Sequence, residues 1–151
     1  MILGLGNDLV DIRRIEKSLE RFGARFLDRV FTPDEQALGE RRTASAQARA
    51  AFFAKRFAAK EAAAKALGTG LGEHAWFTEL EVRSLASGQP VLAFHGRAAR
   101  TLAARVPAGH RPVIHLSMSD DYPLAQAVVI LSAEPASLDS GARPGASSPG
   151  P

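Results

Sequence analysis

The chain has 151 residues, 46% hydrophobic and 23% charged, which is the profile of one globular domain with a core of its own. It contains no cysteine, and this excludes a disulfide framework, a thiol nucleophile and a cysteine-ligated metal. The net charge of +3 favours an acidic partner and is too small to choose among phosphates, an acidic protein and nucleic acid.

The apolar start at Met1 is broken by Asn7 and Asp8 and has no basic segment before it, so no secretory signal is expected. No apolar run reaches the roughly 20 residues of a membrane span, and a reducing cytoplasm fits the lack of cysteine. Ile2 to Leu5 reads as a short buried strand ending at Gly6, in a loop that carries Asp8. Ile12, Ile15, Leu19 and Phe22 then recur at helical spacing, so an amphipathic helix is predicted to about Phe22, with Gly23 as a break and Phe26 to Phe31 as a second apolar piece. Thr32-Pro33-Asp34-Glu35 is a helix start with a capping box, and its helix should run to about Arg41. Ser45 opens the longest predicted helix, Ala46 to Leu67, which is rich in alanine and stops at Gly68.

Strand periodicity follows at Leu80 to Val82 and Pro90 to Phe94, around a Ser87-Gly88 turn. Gly96 to Val106 reads as a helix, and Val113 to Met118 with Ala125 to Leu131 as an antiparallel hairpin. The expected fold is therefore α+β, a domain over residues 1–132. From Ala133 to Pro151 the composition falls to Ala, Ser, Pro and Gly, and a disordered tail is expected.

The chemistry-bearing residues concentrate in the long helix. Phe53, Phe57, Glu61 and Lys65 fall on one stripe, and Arg49, Arg56 and Lys60 on a neighbouring one, which together describe a basic groove beside a single carboxylate. The same Glu-to-Lys spacing also suits a solvated ion pair on a helix surface. Ala58, Ala59 and Ala62 to Ala64 leave room for something bulky to approach the backbone, or simply make a good helix. Gly68-Thr69-Gly70-Leu71-Gly72 closes a helix instead of opening one, so it is no dinucleotide fingerprint, and no P-loop sequence occurs. Asp8, past the first strand, is a candidate ligand for a hard cation such as Mg²⁺, and Glu61 would complete a minimal pair. Arg14, Arg21 and Arg25, near Phe22 and Phe26, suit an acidic helical protein surface or a solvated face. No basic block or module points to nucleic acid. His115, Ser117 and Ser119 share one strand face but lack the elbow of a hydrolase nucleophile, so a polar cluster facing a ligand is the better reading.

Three blocks taken together, Gly4 to Ile15, Phe57 to Gly70 and His115 to Ser119, resemble in order and spacing the holo-acyl-carrier-protein synthase family of 4′-phosphopantetheinyl transferases. Thr32/Glu35 and the Leu92 to Ala98 stretch are also similar, so the resemblance spans about residues 1–132. It implies a small antiparallel sheet packed on a long central helix, in a homotrimer with active sites at subunit interfaces. It further implies transfer of the 4′-phosphopantetheine arm of coenzyme A to a serine of acyl carrier protein, in fatty acid biosynthesis. Asp8 and Glu61 match the family's Mg²⁺ ligands. Arg56, Lys60, Lys65 and Gly68 match positions near the coenzyme's phosphates, with Lys65 also stabilising the leaving phosphate, and Arg14, Arg21 and Arg25 match those facing the carrier protein. The chain departs from the pattern where many members carry a histidine after the Ser-x-Ser/Thr strand. Asp120 stands there, followed by Asp121, so Asp121 or a metal-activated water has to serve as base. The readings left beside this one are a transferase for polyketide or peptide carrier domains and a non-catalytic module that binds an acidic protein.

Overall fold

The computed structural model describes residues 1–137, and most of the expected tail, 138–151, lies outside them. Five helices and five strands form the expected α+β fold, with strands in two separate sheets. Helices α1 (Ile12–Phe22), α2 (Ala24–Val30), α3 (Pro33–Arg42), α4 (Ala46–Leu67) and α5 (Gly96–Arg105) accompany the three-stranded sheet β1-β5-β4 and the two-stranded sheet β2-β3. The strands are β1 (Ile2–Asp11), β2 (Leu80–Ser84), β3 (Pro90–Phe94), β4 (His110–Asp121) and β5 (Leu124–Pro135).

The capping signals act as the sequence suggests. Thr32 and Glu35 close a capping box on α3, Ser45 accepts from the Ala48 amide at the start of α4, and Gly68 ends that helix in the left-handed region at φ 79°. Gly23, at φ 52°, separates α1 from α2, so the arginine-bearing segment is two helices and not one.

Strand lengths depart from expectation. β1 continues past Leu5 because it pairs with β5 as far as Asp11 opposite Leu124, which puts Asp8 inside a strand, opposite Ala127. The hairpin is likewise longer, with only Tyr122 and Pro123 between β4 and β5, and Ser119, Asp120 and Asp121 on the ladder. β5 runs on through Pro135, and the buried Ala133 donates its amide to the Met1 carbonyl at 2.8 Å. Regular structure therefore passes residue 132, where composition placed the domain end, because strand pairing orders a segment that is weakly apolar.

The core is the seam between α4 and the central sheet. Ala58, Ala59, Ala62 and Ala63 are fully buried and face small or branched residues of β1 and β5, among them Gly6, Val10, Ala127 and Val129. A methyl carbon built on Gly4 would lie 1.9 Å from the Ala66 carbonyl oxygen, and on Gly6 1.8 Å from that of Ala62. The room left by the alanines is thus taken by β1 itself, and the two glycines serve close approach and not a turn. Arg105 of α5 pins the seam's end, donating to the Ala66 and Leu67 carbonyls at 2.8 and 2.9 Å and to the Leu3 carbonyl. Below the seam Phe31, Phe53, Phe57 and Phe77 pack with neighbouring rings.

Candidate active site

The close contact of β1 with α4 brings Asp8 and Lys65 together. The Lys65 ammonium donates to Asp8 Oδ1 at 3.0 Å and to the Asn7 carbonyl at 3.0 Å. Glu61, one helical turn before Lys65, lines a cleft of about 480 Å³ with Asp8, and Leu9, Arg14, Lys17, Ser18, Phe26 and Phe57 are among its other walls. Partial burial raises the Glu61 pKa from its ordinary value, the Asp8 charge raises it further, and Lys65 opposes both. The separation in sequence between Asp8 and Glu61 is therefore closed by the fold.

Among the described residues no group of three or more His, Cys, Asp or Glu side chains could cage a metal. Two carboxylates at one cleft, mutually repelling, still fit Mg²⁺, which is normally held by one or two carboxylates with the rest of its shell from phosphate and water.

Two of the expected coenzyme contacts are placed elsewhere. Lys60 is fully buried, and its ammonium donates to Glu35 Oε1 at 2.7 Å and to the Phe77 and Leu80 carbonyls at 2.8 Å each. All three of its donors are used inside the protein, so in this conformation it does not reach a phosphate, and the expected basic groove is absent along this helix. Arg56 is also buried, its guanidinium lying 3.5 Å from the centre of the Phe52 ring, and burial lowers its pKa to about 10. Its Nε is the buried side-chain polar atom without a partner among the described residues. Residues 56 and 61 are about 140° apart around a helix, so Arg56 and Glu61 leave α4 on different flanks. Gly68 faces open space, and its left-handed backbone already accounts for a glycine there.

Asp121 does not join the site within one chain. Asp8 lies opposite Ala127 and Met118, whereas Asp121 lies opposite Leu124 and Asp11. That register separates Asp121 from Asp8 by about 14 Å and puts it on the other face of the sheet. Asp120 is engaged by Lys55 at 3.1 Å. His115, Ser117 and Ser119 are exposed on the same outer face as Asp121.

Arg14 lines the cleft of Asp8 and Glu61, and Arg25 lines an adjoining one with Ser18, Phe22, Phe26 and Arg29. Arg21 lies over the Phe22 ring at 5.1 Å. Lys17, Ser18 and Arg29 are not among the expected site residues, although Ser18 and Arg29 follow Arg14 and Arg25 by one helical turn.

Comparison with known proteins gives a consistent result. A family model described as the 4′-phosphopantetheinyl transferase superfamily matches residues 4–127. A holo-[acyl-carrier-protein] synthase of Rhizobium leguminosarum bv. trifolii is 54% identical over 138 residues, covering 91% of this chain and 100% of the relative. One of Paramagnetospirillum magneticum is 58% identical over 136 residues, covering 90% and 100%. Among solved structures, a Bacillus anthracis holo-(acyl-carrier-protein) synthase in complex with CoA (3′,5′-ADP) is similar at a TM-score of 0.68 and 35% identity, covering 87% of this chain and 96% of that one. The Neisseria meningitidis enzyme is similar at 0.74 and 32%, covering 87% and 99%.

Proposed function

The chain belongs to the 4′-phosphopantetheinyl transferase superfamily, and on that premise we propose that it moves the 4′-phosphopantetheine arm of coenzyme A to a serine of apo acyl carrier protein. The observation that carries this reading is the meeting of Asp8, Glu61 and Lys65 where β1 lies against α4. The serine hydroxyl attacks the β-phosphorus of coenzyme A, the new P–O bond forms, and the bond from that phosphorus to the departing 3′,5′-adenosine bisphosphate breaks. The hydroxyl proton passes to water in the cleft, or to Asp121 of a neighbouring subunit.

Little covalent work falls to the protein in such a step, so its contribution is positioning and charge. Asp8 and Glu61 hold Mg²⁺, which when bound supplies charge neutralisation on the diphosphate oxygens. Lys65, freed from Asp8, turns its ammonium to the departing phosphate. Arg14, Arg21 and Arg25 present positive charge beside Phe22 and Phe26 to an acidic helix of the carrier protein. Gly68 lets the coenzyme approach the end of α4.

The site is completed by a second subunit in a homotrimer. Two features support this: Leu5 and Leu9 of β1 are 64% and 60% exposed on the outer face of the sheet, and Asp121 opens onto that same face. The reaction serves fatty acid biosynthesis in the cytoplasm, and no helix among the described residues is long and apolar enough to cross a membrane.

The test is mass spectrometry of apo carrier protein incubated with the chain, coenzyme A and Mg²⁺. The expected result is a gain of one phosphopantetheine arm, lost on chelation and reduced about 100-fold or more by Asp8→Asn or Glu61→Gln. No gain on any apo carrier sinks the reading, and unchanged rates in both variants sink the site. Comparing fatty-acid carriers with polyketide and peptide carriers fixes the substrate class.

A further inference from the structure

We infer that Lys60 and Glu35 are positioning residues, a buried directional lock that sets the rotation of α4 and thereby aims Glu61 and Lys65 at Asp8. This rests on the reading of Asp8, Glu61 and Lys65 given above, and it adds a role for two residues that touch neither substrate.

The need for such a lock follows from the seam. Helices usually find their rotation and slide by fitting ridges of side chains into grooves. Along α4 the buried surface toward the sheet is nearly all alanine, and β1 meets it with Gly4 and Gly6, so the contact is close but has little relief. A side chain ends about 5–6 Å from a helix axis, so a rotation of 10° moves its tip by about 1 Å. Displacements of that size cost about 100-fold in rate when reacting groups must be aligned. Arg105 holds the carbonyl end of α4 and Phe53 and Phe57 pack its first half, so the angle around Glu61 is left to a directional contact next to it.

Lys60 supplies it. The residue next to Glu61 on α4 sends its ammonium into three acceptors, Glu35 Oε1 at 2.7 Å and the carbonyls of Phe77 and Leu80 at 2.8 Å. Glu35 is held as firmly. Its Oε1 also accepts from the Thr32 amide at 2.9 Å, its Oε2 from the Val82 amide at 3.1 Å, and both side chains of the pair are 0% exposed. The acceptors belong to α3, to the 3₁₀ turn Phe77–Glu79 and to β2, so a rotation of α4 breaks contacts to three elements together. Breaking a buried, fully satisfied pair is far costlier than disturbing an exposed one.

The experiment uses the full chain with Glu35→Gln, Lys60→Met, and the double variant K60M/E35Q, which removes both charges at once and so avoids a lone buried charge. Steady-state transfer gives kcat, the KM for coenzyme A and the Mg²⁺ concentration for half-maximal rate. Amide hydrogen exchange over residues 58–67, measured without ligands, reports the setting of α4. The expected result, in every variant that melts above the assay temperature, is a fall in kcat of about 100-fold. It is accompanied by a higher Mg²⁺ requirement, a KM for coenzyme A changed by less than about threefold, and faster exchange in α4. A purely structural pair would lower the melting temperature and leave kcat alone, which overturns the inference. So does a Lys60→Met variant with a KM about tenfold higher or more at unchanged kcat, while Glu35→Gln is silent, because that assigns Lys60 to the coenzyme. If none of the variants folds, the pair is a folding requirement and the positioning role is withdrawn. Failure of the transferase reading is told apart by the wild-type chain, which would then show no transfer while the exchange measurement still decides whether the pair holds α4.

Discussion

Replacing Gly6 with alanine would press a methyl carbon to 1.8 Å from the Ala62 carbonyl oxygen, backbone against backbone, with no flexible side chain to give way. The expected cost is about 3 kcal/mol or more, read as a lower urea midpoint, because overpacking a tight contact forces the main chain to move. β1 would be lifted off α4, so transfer should fall together with stability. The same seam shows what single residues disclose. Asp8 and Glu61 stood out in the sequence because an acid at the end of an apolar strand and a carboxylate on an apolar helix stripe are both unexpected there. Lys60 did not disclose its partner, since helical periodicity gives the angle of a side chain and not the neighbour it meets, and Glu35 lies 25 residues away. Gly4 and Gly6 were visible as glycines, but the need for them lies in a carbonyl that only the tertiary fold brings near.

At the scale of elements, the junction of β1 and α1 depends on one charged cap. Asp11 accepts from the Arg13 amide at 3.0 Å and pairs with its guanidinium at 2.7 Å, and these contacts lower its pKa from 3.8 to about 2. A carboxylate with a depressed folded-state pKa adds stability in full above its unfolded value and loses it as the pH falls through the folded one. The first turn of α1 should therefore keep its amide protection above about pH 4 and lose it toward pH 2, ahead of any change in α4. Hydrogen exchange across that range checks this, and Asp11→Asn should flatten the dependence. Helix starts were the most legible feature, because capping at Thr32 and Ser45 is local chemistry. Strand ends were the least legible. β1, β4 and β5 extend beyond their apolar runs wherever a partner offers backbone pairing, and pairing over such sequence distances leaves no local mark.

For the whole molecule, the three-stranded sheet has one face under α4 and another that leaves Leu5, Leu9 and Leu124 exposed, with Val128 and Ile130 between them only partly covered. If that face joins subunits as proposed, Leu5→Glu, which lies on that face and outside the cleft of Asp8 and Glu61, should yield a monomer in sedimentation velocity, with native helix content and transfer reduced about 100-fold or more. A variant that stays trimeric, or a fully active monomer, removes the second subunit from the site. The α+β class was legible from the order of periodic segments, whereas the division of the strands into two sheets was not, since it depends on which strands meet across the fold. One property of the topology has a use of its own. The Met1 ammonium donates to the Ala133 carbonyl at 2.7 Å, so the start of β1 touches the last buried residue of β5 among the described residues. A short linker from that strand back to Met1 closes the loop, and the chain can then be reopened at the tight bend around Gly88, where added atoms meet open space. Such a circular permutant retains every ladder and every helix, so the order in which the gene spells the elements is separable from the architecture they build.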